Sequence, residues 1–171
     1  MSILSAIQRA MLYGLRPPEP FTFELPPLLV SLVARGTWPS DDLAALRQHV
    51  TPLVAPACVK AFAPEESRLF LYASPWFDSI GAGIRANKGL TPEQEALADI
   101  DPERTIVIAD FGLGSDTAVA LDYREDASMP SVIRLQWRQP NAPNRWVHVA
   151  PSFDAFWAML RIDAAHPVGT H

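Results

Sequence analysis

The sequence predicts an α+β fold, in which an antiparallel meander of four or more strands in the C-terminal half is covered by helices. Residues rich in β-branched and aromatic side chains form four short runs between positions 105 and 149. The connections between these runs are too short for helical crossovers, so neighbouring strands are expected to be antiparallel. The N-terminal residues 1–60 instead show apolar residues at helical spacing. A chain of 171 residues suits one domain spanning 1–171.

The strand predictions follow the apolar alternation. The four strands are predicted at Thr105–Ala109, Thr117–Tyr123, Val132–Arg138 and Arg145–Val149. The third strand places Ile133, Leu135 and Trp137 on one face and Arg134, Gln136 and Arg138 on the other. This alternation predicts that one face of the sheet is buried and the other is solvated.

A closing helix is predicted after the last strand. Ser152 is a favoured N-cap residue. The apolar residues that follow it recur at i, i+3, i+4 and i+7, and they are Phe153, Phe156, Trp157 and Leu160. This spacing predicts an amphipathic helix that packs on the apolar face of the sheet, so that residues 105–161 form a sheet with a closing helix.

The first 60 residues are predicted to be mainly helical around a proline-rich arm at 17–27. Helices are predicted at Ser2–Leu15, at Leu28–Arg35 before the terminating Gly36, and after the capping Ser40. The third of these helices is expected to bury Leu43, Leu46 and Val50. Further along the chain, Leu69–Tyr72 suggests a strand, and Thr91-Pro92-Glu93-Gln94 is a capping box that predicts a short helix through Leu97.

Composition restricts the class of protein. The longest apolar run, Leu28–Ala34, is far shorter than the roughly 20 residues of a membrane span, and the N-terminal residues lack a secretory pattern. The single cysteine, Cys58, excludes an internal disulfide and is expected to be structural. These observations predict a cytoplasmic protein that does not interact with membranes.

Negative charge is concentrated in one segment. Residues 90–126 carry ten carboxylates and two arginines, a net charge of -8, whereas the remaining chain carries +3. A nucleic-acid-binding protein would be expected to show a basic stripe, so nucleic acid is not an expected partner. An acidic surface favours a basic protein partner, whose approach it accelerates. A solvated surface without a partner explains the same charge pattern.

The segment Ile106–Arg124 joins two strands through a glycine-rich turn and contains three of these carboxylates. Asp110, Asp116 and Asp122 offer oxygen ligands to a metal ion or groups for acid–base chemistry. Their spacing matches no calcium loop, and turn residues that bond backbone amides are an equally good explanation. The chain also lacks a zinc spacing and a Gly-x-Ser-x-Gly elbow. We therefore expect no catalytic residues, no resident metal and no cofactor.

Three tryptophans of the C-terminal half have different predicted roles. Trp137 lies on the predicted apolar face of its strand and is expected in the core, as is Trp157. Trp146 follows Arg145 on the opposite face from Val147 and Val149. An exposed Trp–Arg pair has the composition of a binding hot spot, although the pattern favours partial burial of Trp146 in the core.

The C-terminal half resembles the SUKH superfamily, which includes fungal cell-wall-assembly regulators of the Smi/Knr type and many bacterial immunity proteins. The resemblance rests on five segments: Phe111-Gly112-Leu113-Gly114-Ser115-Asp116, Leu121-Asp122-Tyr123-Arg124, Pro130 with Val132, Trp146-Val147-His148-Val149-Ala150, and Ser152-Phe153-Asp154-Ala155-Phe156. It covers about a third of the chain, residues 105–161. The family's opening helix and its Leu-Pro-x-x-Tyr segment are not recognisable here.

The resemblance implies a non-catalytic protein-binding domain, most specifically an immunity protein that neutralises a toxin by direct binding. The expected partner is then a basic toxin domain. The candidate binding residues are Asp110, Ser115, Asp116, Asp122, Tyr123, Arg145 and Trp146. A small regulatory or scaffold protein that binds a cellular enzyme is the alternative, and a ligand- or metal-binding domain using Asp110, Asp116 and Asp122 is a second alternative.

Overall fold

The computed structural model describes residues 23–73, 77, 79–85, 96–112, 118–137 and 144–162. Five antiparallel strands form one sheet in the order β1-β2-β3-β4-β5. Their bounds are β1 Phe70–Leu71, β2 Thr105–Asp110, β3 Ala118–Asp122, β4 Ser131–Gln136 and β5 Arg145–Ala150. The predicted meander and the α+β fold class are confirmed. The fifth strand is β1, a short edge strand within the predicted Leu69–Tyr72 segment.

The helices lie before and after the meander. Their bounds are α1 Pro27–Ala34, α2 Asp42–Arg47, α3 Pro56–Lys60, α4 Ile80–Arg85 and α5 Phe153–Leu160, with a 3-10 turn at Leu97–Asp99. Gly36 follows α1 at a φ of 70°, a left-handed conformation that glycine adopts without strain. The N-cap of α2 is Asp41, one residue after the predicted cap, and its carboxylate accepts from the Ala44 amide at 2.7 Å.

The closing helix α5 forms as predicted. The Ser152 hydroxyl accepts from the Ala155 amide at 3.2 Å, so it caps the first turn. All four residues of the predicted apolar stripe are buried, and Phe153 and Phe156 are at most 2% exposed. These side chains pack with Trp38, whose ring centroid lies 5.8 Å from that of Phe153 and 6.0 Å from that of Trp157.

The sheet is covered on both faces, which corrects the prediction of one solvated face. The main core lies between one face and helices α1, α3 and α5, and its sheet residues include Ile106, Ile108, Leu121 and Val132. The second core contains Ile80, Ile100, Ala120, Ile133, Leu135 and Trp146. Ile133 and Leu135 therefore pack beneath α4 and the 3-10 turn, on the face opposite α5.

Arg134 lies on the face predicted to be wet, yet only 4% of it is exposed. Its guanidinium donates to the Glu65 carboxylate at 2.6 Å and lies 6.0 Å from the centroid of the Phe111 ring. Arginine can occupy such a site because its stem is apolar and its charge is paired and stacked on an aromatic face. The partner Glu65 lies 69 positions earlier in the chain, so strand alternation alone could not predict this burial.

The two edges of the sheet are closed by side chains. At β1, the Gln48 amide donates to the Leu71 carbonyl at 2.8 Å and its carbonyl accepts from the Leu71 amide at 2.9 Å. Gln48 thus pairs with the edge strand as another strand would. At β5, the Trp146 amide donates to the Asp99 carboxylate at 3.1 Å, and Val149 is an extra residue that interrupts the register. Both devices reduce the backbone groups that an edge offers to another chain.

Two predictions of buried apolar residues are wrong. Leu43, Leu46 and Val50 on α2 and the turn after it are 60%, 57% and 88% exposed, because α2 directs Gln48 towards β1 and turns its apolar stripe to solvent. Trp137 is 45% exposed, because β4 ends at Gln136 and the alternation ends with it.

Several predicted features are only partly covered by the described residues. The helix Ser2–Leu15, the first part of the arm at 17–27 and the capping box at Thr91 lie outside the described residues. Residues 23–26 of the arm do not form a strand, and α1 already begins at Pro27. Within the described ranges, no helix has the length and apolar character required to cross a membrane.

The closure of the β1 edge predicts a stability change. Gln48→Met has a similar length without polar atoms, so the buried Leu71 amide and carbonyl lose their partners. We expect the free energy of unfolding in urea to fall by about 1–3 kcal/mol. The exposed Arg47→Ala on the same helix is the control, and its effect should stay within about 0.5 kcal/mol. Equal stability of the two variants would contradict the conclusion that the Gln48 side chain stabilises the β1 edge.

Candidate protein-binding surface

The predicted binding residues are spread over both ends of the sheet. In the β2–β3 pair, Asp110 lies opposite Ala118 at one end and Asp122 lies opposite Thr105 at the other. Five residues along a strand separate them, which corresponds to roughly 15 Å. Asp110 and Asp122 therefore cannot ligate the same metal ion, and no metal-binding group of three or more His, Cys, Asp or Glu side chains exists among the described residues. Ser115 and Asp116 lie outside the described residues.

Asp122 is buried and its charge is neutralised within the chain. It is 6% exposed and accepts from the Arg124 guanidinium at 2.7 to 3.0 Å as well as from the Arg124 amide. The hydrogen bonds that Arg124 donates to Asp122 are the main reason that the pKa of Arg124 is raised. The guanidinium also donates to the Asp99 carbonyl at 2.6 Å. This pair connects the end of β3 to the 3-10 turn.

Asp99 also contacts Arg145 and Trp146. Its carboxylate accepts from the Trp146 amide, and the Arg145 Nε lies 3.7 Å from the same oxygen. Arg145 is half exposed, whereas Trp146 is 7% exposed and packs in the second core against Leu135. The predicted exposed Trp–Arg hot spot is therefore not formed, since only the arginine reaches the surface.

Tyr123 is completely buried. Its hydroxyl donates to the Glu24 carbonyl at 3.0 Å, and its ring stacks on Phe23 with centroids 4.8 Å apart. Burial raises the pKa of Tyr123 above its usual value. The residue holds the segment before α1 against the sheet and does not contact solvent. Burial thus corrects the prediction of surface contacts for Asp122, Tyr123 and Trp146.

Asp110 is half-buried at the end of β2, beside the glycine-containing turn. Its carboxylate accepts from the Tyr72 hydroxyl at 3.0 Å and from the Gly112 amide at 3.1 Å. Burial raises the pKa of Asp110 to about 6, although both hydrogen bonds oppose the shift. The Trp38 indole donates to the Tyr72 carbonyl at 2.8 Å, so the Tyr72 backbone is fixed from the main core. The arrangement is that of a turn-forming aspartate.

Two acidic groups on the loop between β3 and β4 reach the surface. Glu125 and Asp126 are exposed there, and Met129 is 59% exposed. The Asp126 carboxylate accepts from the Ser128 amide and hydroxyl and from the Met129 amide, which orders the loop. These hydrogen bonds lower the pKa of Asp126. We call residues 125–129 the acidic loop.

Exposed apolar side chains lie on α2 and on the turn that follows. They are Leu43, Leu46 and Val50, at i, i+3 and i+7, and we call them the α2 ridge. An open groove of about 560 Å³ borders the ridge at Val50. Its walls are formed by Gly36, Thr37, Pro39, Ala44, Arg47, Gln48, Val50, Thr51 and Leu53. We call this feature the α2 groove.

The α2 ridge was not among the residues predicted to bind a partner. Its i, i+3, i+7 spacing was visible in the sequence, but such spacing is typical of a buried helix face. Gln48 is the residue in this segment that could have indicated the exposed stripe. A polar side chain that can be buried with hydrogen-bond partners allows the face opposite the apolar stripe to be the buried one. Only the pairing of Gln48 with Leu71, 23 positions away, decides which face is buried.

Comparison of the chain with protein-family models, with curated proteins and with solved structures found no match. The resemblance to the SUKH superfamily therefore stays a prediction from the residues quoted for it.

The half-buried Asp110 predicts a pH dependence of stability. Because its folded pKa of about 6 exceeds the ordinary aspartate value, its contribution is fully present below about pH 4 and is lost as the pH rises through about 6. Asp110→Asn retains an acceptor for Gly112 and gains a donor for Tyr72. In urea unfolding, we expect this variant to be more stable than the wild-type chain at about pH 8 and equally stable at about pH 4.

Glu125→Gln is the matched control, since it removes an exposed carboxylate from the acidic loop. Its stability relative to the wild-type chain should be the same at both pH values. A loss of stability of Asp110→Asn at the higher pH would show that the ionised carboxylate stabilises the turn.

Proposed function

We propose that this chain is a non-catalytic protein-binding domain, and that its α2 ridge contacts the partner. The observation that carries the proposal is the exposure of Leu43 and Leu46 on α2 and of Val50 in the turn after it, each more than half accessible. Three neighbouring apolar side chains in water are costly to leave uncovered, since burying each contributes roughly 1.5–3 kcal/mol. Patches of this kind mark interaction sites more often than scattered single residues do.

The more specific proposal is an immunity protein of SUKH type that acts in the cytoplasm and neutralises a toxin domain by direct binding. The C-terminal motifs support this role, as does the acidic segment, which would attract a basic toxin. Much of that acidity is used inside the chain, because Asp122 pairs with Arg124 and Asp99 contacts Arg145. The acidic loop with Glu125 and Asp126 is the part that supports long-range attraction.

The alternative proposal is a regulatory or scaffold protein that uses the same ridge to bind a cellular enzyme. A protein-binding role for Trp137 is compatible with either partner, because it is 45% exposed beside the end of β4. Exposed tryptophan is enriched among residues that dominate binding energy. The identity of the partner separates the two proposals.

The test starts from the genes beside this one, where the immunity proposal expects a large secreted protein that ends in a toxin domain. Co-expression of the full chain should restore growth of cells that produce the toxin domain, and the two purified proteins should form a complex in a calorimetric titration. Leu43→Glu combined with Leu46→Glu places two charges on the α2 ridge. We expect this double variant to bind at least about tenfold more weakly, with a parallel loss of growth rescue.

Val30→Glu is the matched control, because Val30 is 51% exposed on α1 and belongs neither to the ridge nor to the groove lining. Circular dichroism of each variant confirms that it is folded. Unchanged binding of the double variant would exclude the ridge. Absence of both complex and rescue with the wild-type chain would exclude the immunity role.

A further inference from the structure

We infer that the α2 groove binds an amphipathic helix of the partner, and that this helix presents a carboxylate to Arg47. The inference rests on the proposed protein-binding function and names the chemistry of the bound segment. It is carried by the shape of the groove, by the exposed charge of Arg47, which forms no ion pair with the described residues, and by the limited size of the apolar surface.

The groove and the ridge form one surface because Val50 belongs to both. Val50 is the most exposed of the ridge residues, at 88%. Leu53 and Pro39 add apolar walls, and the volume of about 560 Å³ accommodates several apolar side chains. An apolar residue of a bound helix would enter the groove while its neighbours one turn away cover Leu43 and Leu46.

Arg47 supplies the charge that defines the partner. It is exposed, it lines the groove, and no acidic group of the described residues forms an ion pair with it. The nearby Asp41 carboxylate is already engaged, because it accepts from the Ala44 amide at the start of α2. A cation beside an apolar groove is complemented by a carboxylate that flanks an apolar stripe, and arginine is enriched among hot-spot residues.

The size of the surface favours a single helix over a second copy of the chain. Each partner of a stable complex typically buries about 800 Å², and three side chains with one groove fall well short of that area. The ridge extends from Leu43 on α2 to Val50 in the turn after it, a short strip that one helix of a partner can cover in helix-in-groove recognition. A segment of a partner therefore fits the site better than a symmetric dimer does.

The experiment uses two synthetic helical peptides of roughly four turns that share leucines at i, i+4 and i+7. One peptide carries glutamate and the other carries lysine beside the leucine stripe. Fluorescence anisotropy with the full chain should show tighter binding of the glutamate peptide by about fivefold. Amide resonances of Thr37, Ala44 and Thr51 should shift on binding.

Arg47→Glu should reverse this preference, so that the lysine peptide binds more tightly. Arg68→Glu is the matched control, because Arg68 is also exposed but lies outside the groove lining, and it should retain the preference for glutamate. Equal affinity of the two peptides, failure of the glutamate peptide to bind, or an unchanged preference in Arg47→Glu would overturn the inference.

A second copy as the occupant would be seen as a dimer in sedimentation that Leu46→Glu dissociates, and that result would also overturn the inference. The calorimetric titration with the toxin domain separates this failure from failure of the proposed function. If the wild-type chain binds the toxin domain while Arg47→Glu and Arg68→Glu bind it equally well, the protein-binding role stands and the groove does not carry it.

Discussion

The rotation of α2 depends on one pair of hydrogen bonds, those between the Gln48 side chain and the Leu71 backbone. Gln48 is 2% exposed, so the NH₂ group and the carbonyl oxygen of its side chain both require hydrogen-bond partners inside the protein. Satisfying them against the edge strand directs the polar side of α2 inward and the apolar stripe outward. The exposed ridge is therefore a geometric consequence of closing the sheet at β1. A device that protects an edge from aggregation also creates the surface that a partner can use.

The net negative charge of residues 90–126 overstates the negative charge that this segment presents at the surface. Its carboxylates are numerous, but the structure uses several of them as internal ligands for backbone amides and arginines. The Asp122 carboxylate accepts a hydrogen bond from Arg124, and Arg124 also donates to the Asp99 carbonyl. The Asp99 carboxylate accepts from the Trp146 amide on the edge strand β5. This chain of contacts connects the 3-10 turn to the sheet and covers the second core. The residual charge on the acidic loop is smaller than the sequence total suggests, and it influences approach more than affinity.

Burial on both faces of the sheet explains why residues of similar chemistry have different roles. Trp146 fills the second core while Trp137, one residue beyond β4, is exposed. Arg134 is buried in the middle of β4 while Arg145 on β5 is exposed. Glu65 and the Phe111 ring cover Arg134, whereas Trp137 is exposed because β4 ends at Gln136. The candidate site lies on α2 beside the β1 edge, and not on the residues Phe111-Gly112 that the motifs emphasised.

The sequence by itself determined the antiparallel meander, the closing helix with its Ser152 cap, and the end of α1 at Gly36. These features depend on residues within a few positions of one another, where apolar period, capping and glycine conformation act. Only the tertiary structure decided which face of α2 is buried, that Arg134 pairs with Glu65, and which tryptophan is exposed. Those outcomes depend on contacts between residues 23 to 69 positions apart, and local spacing contains no information about them.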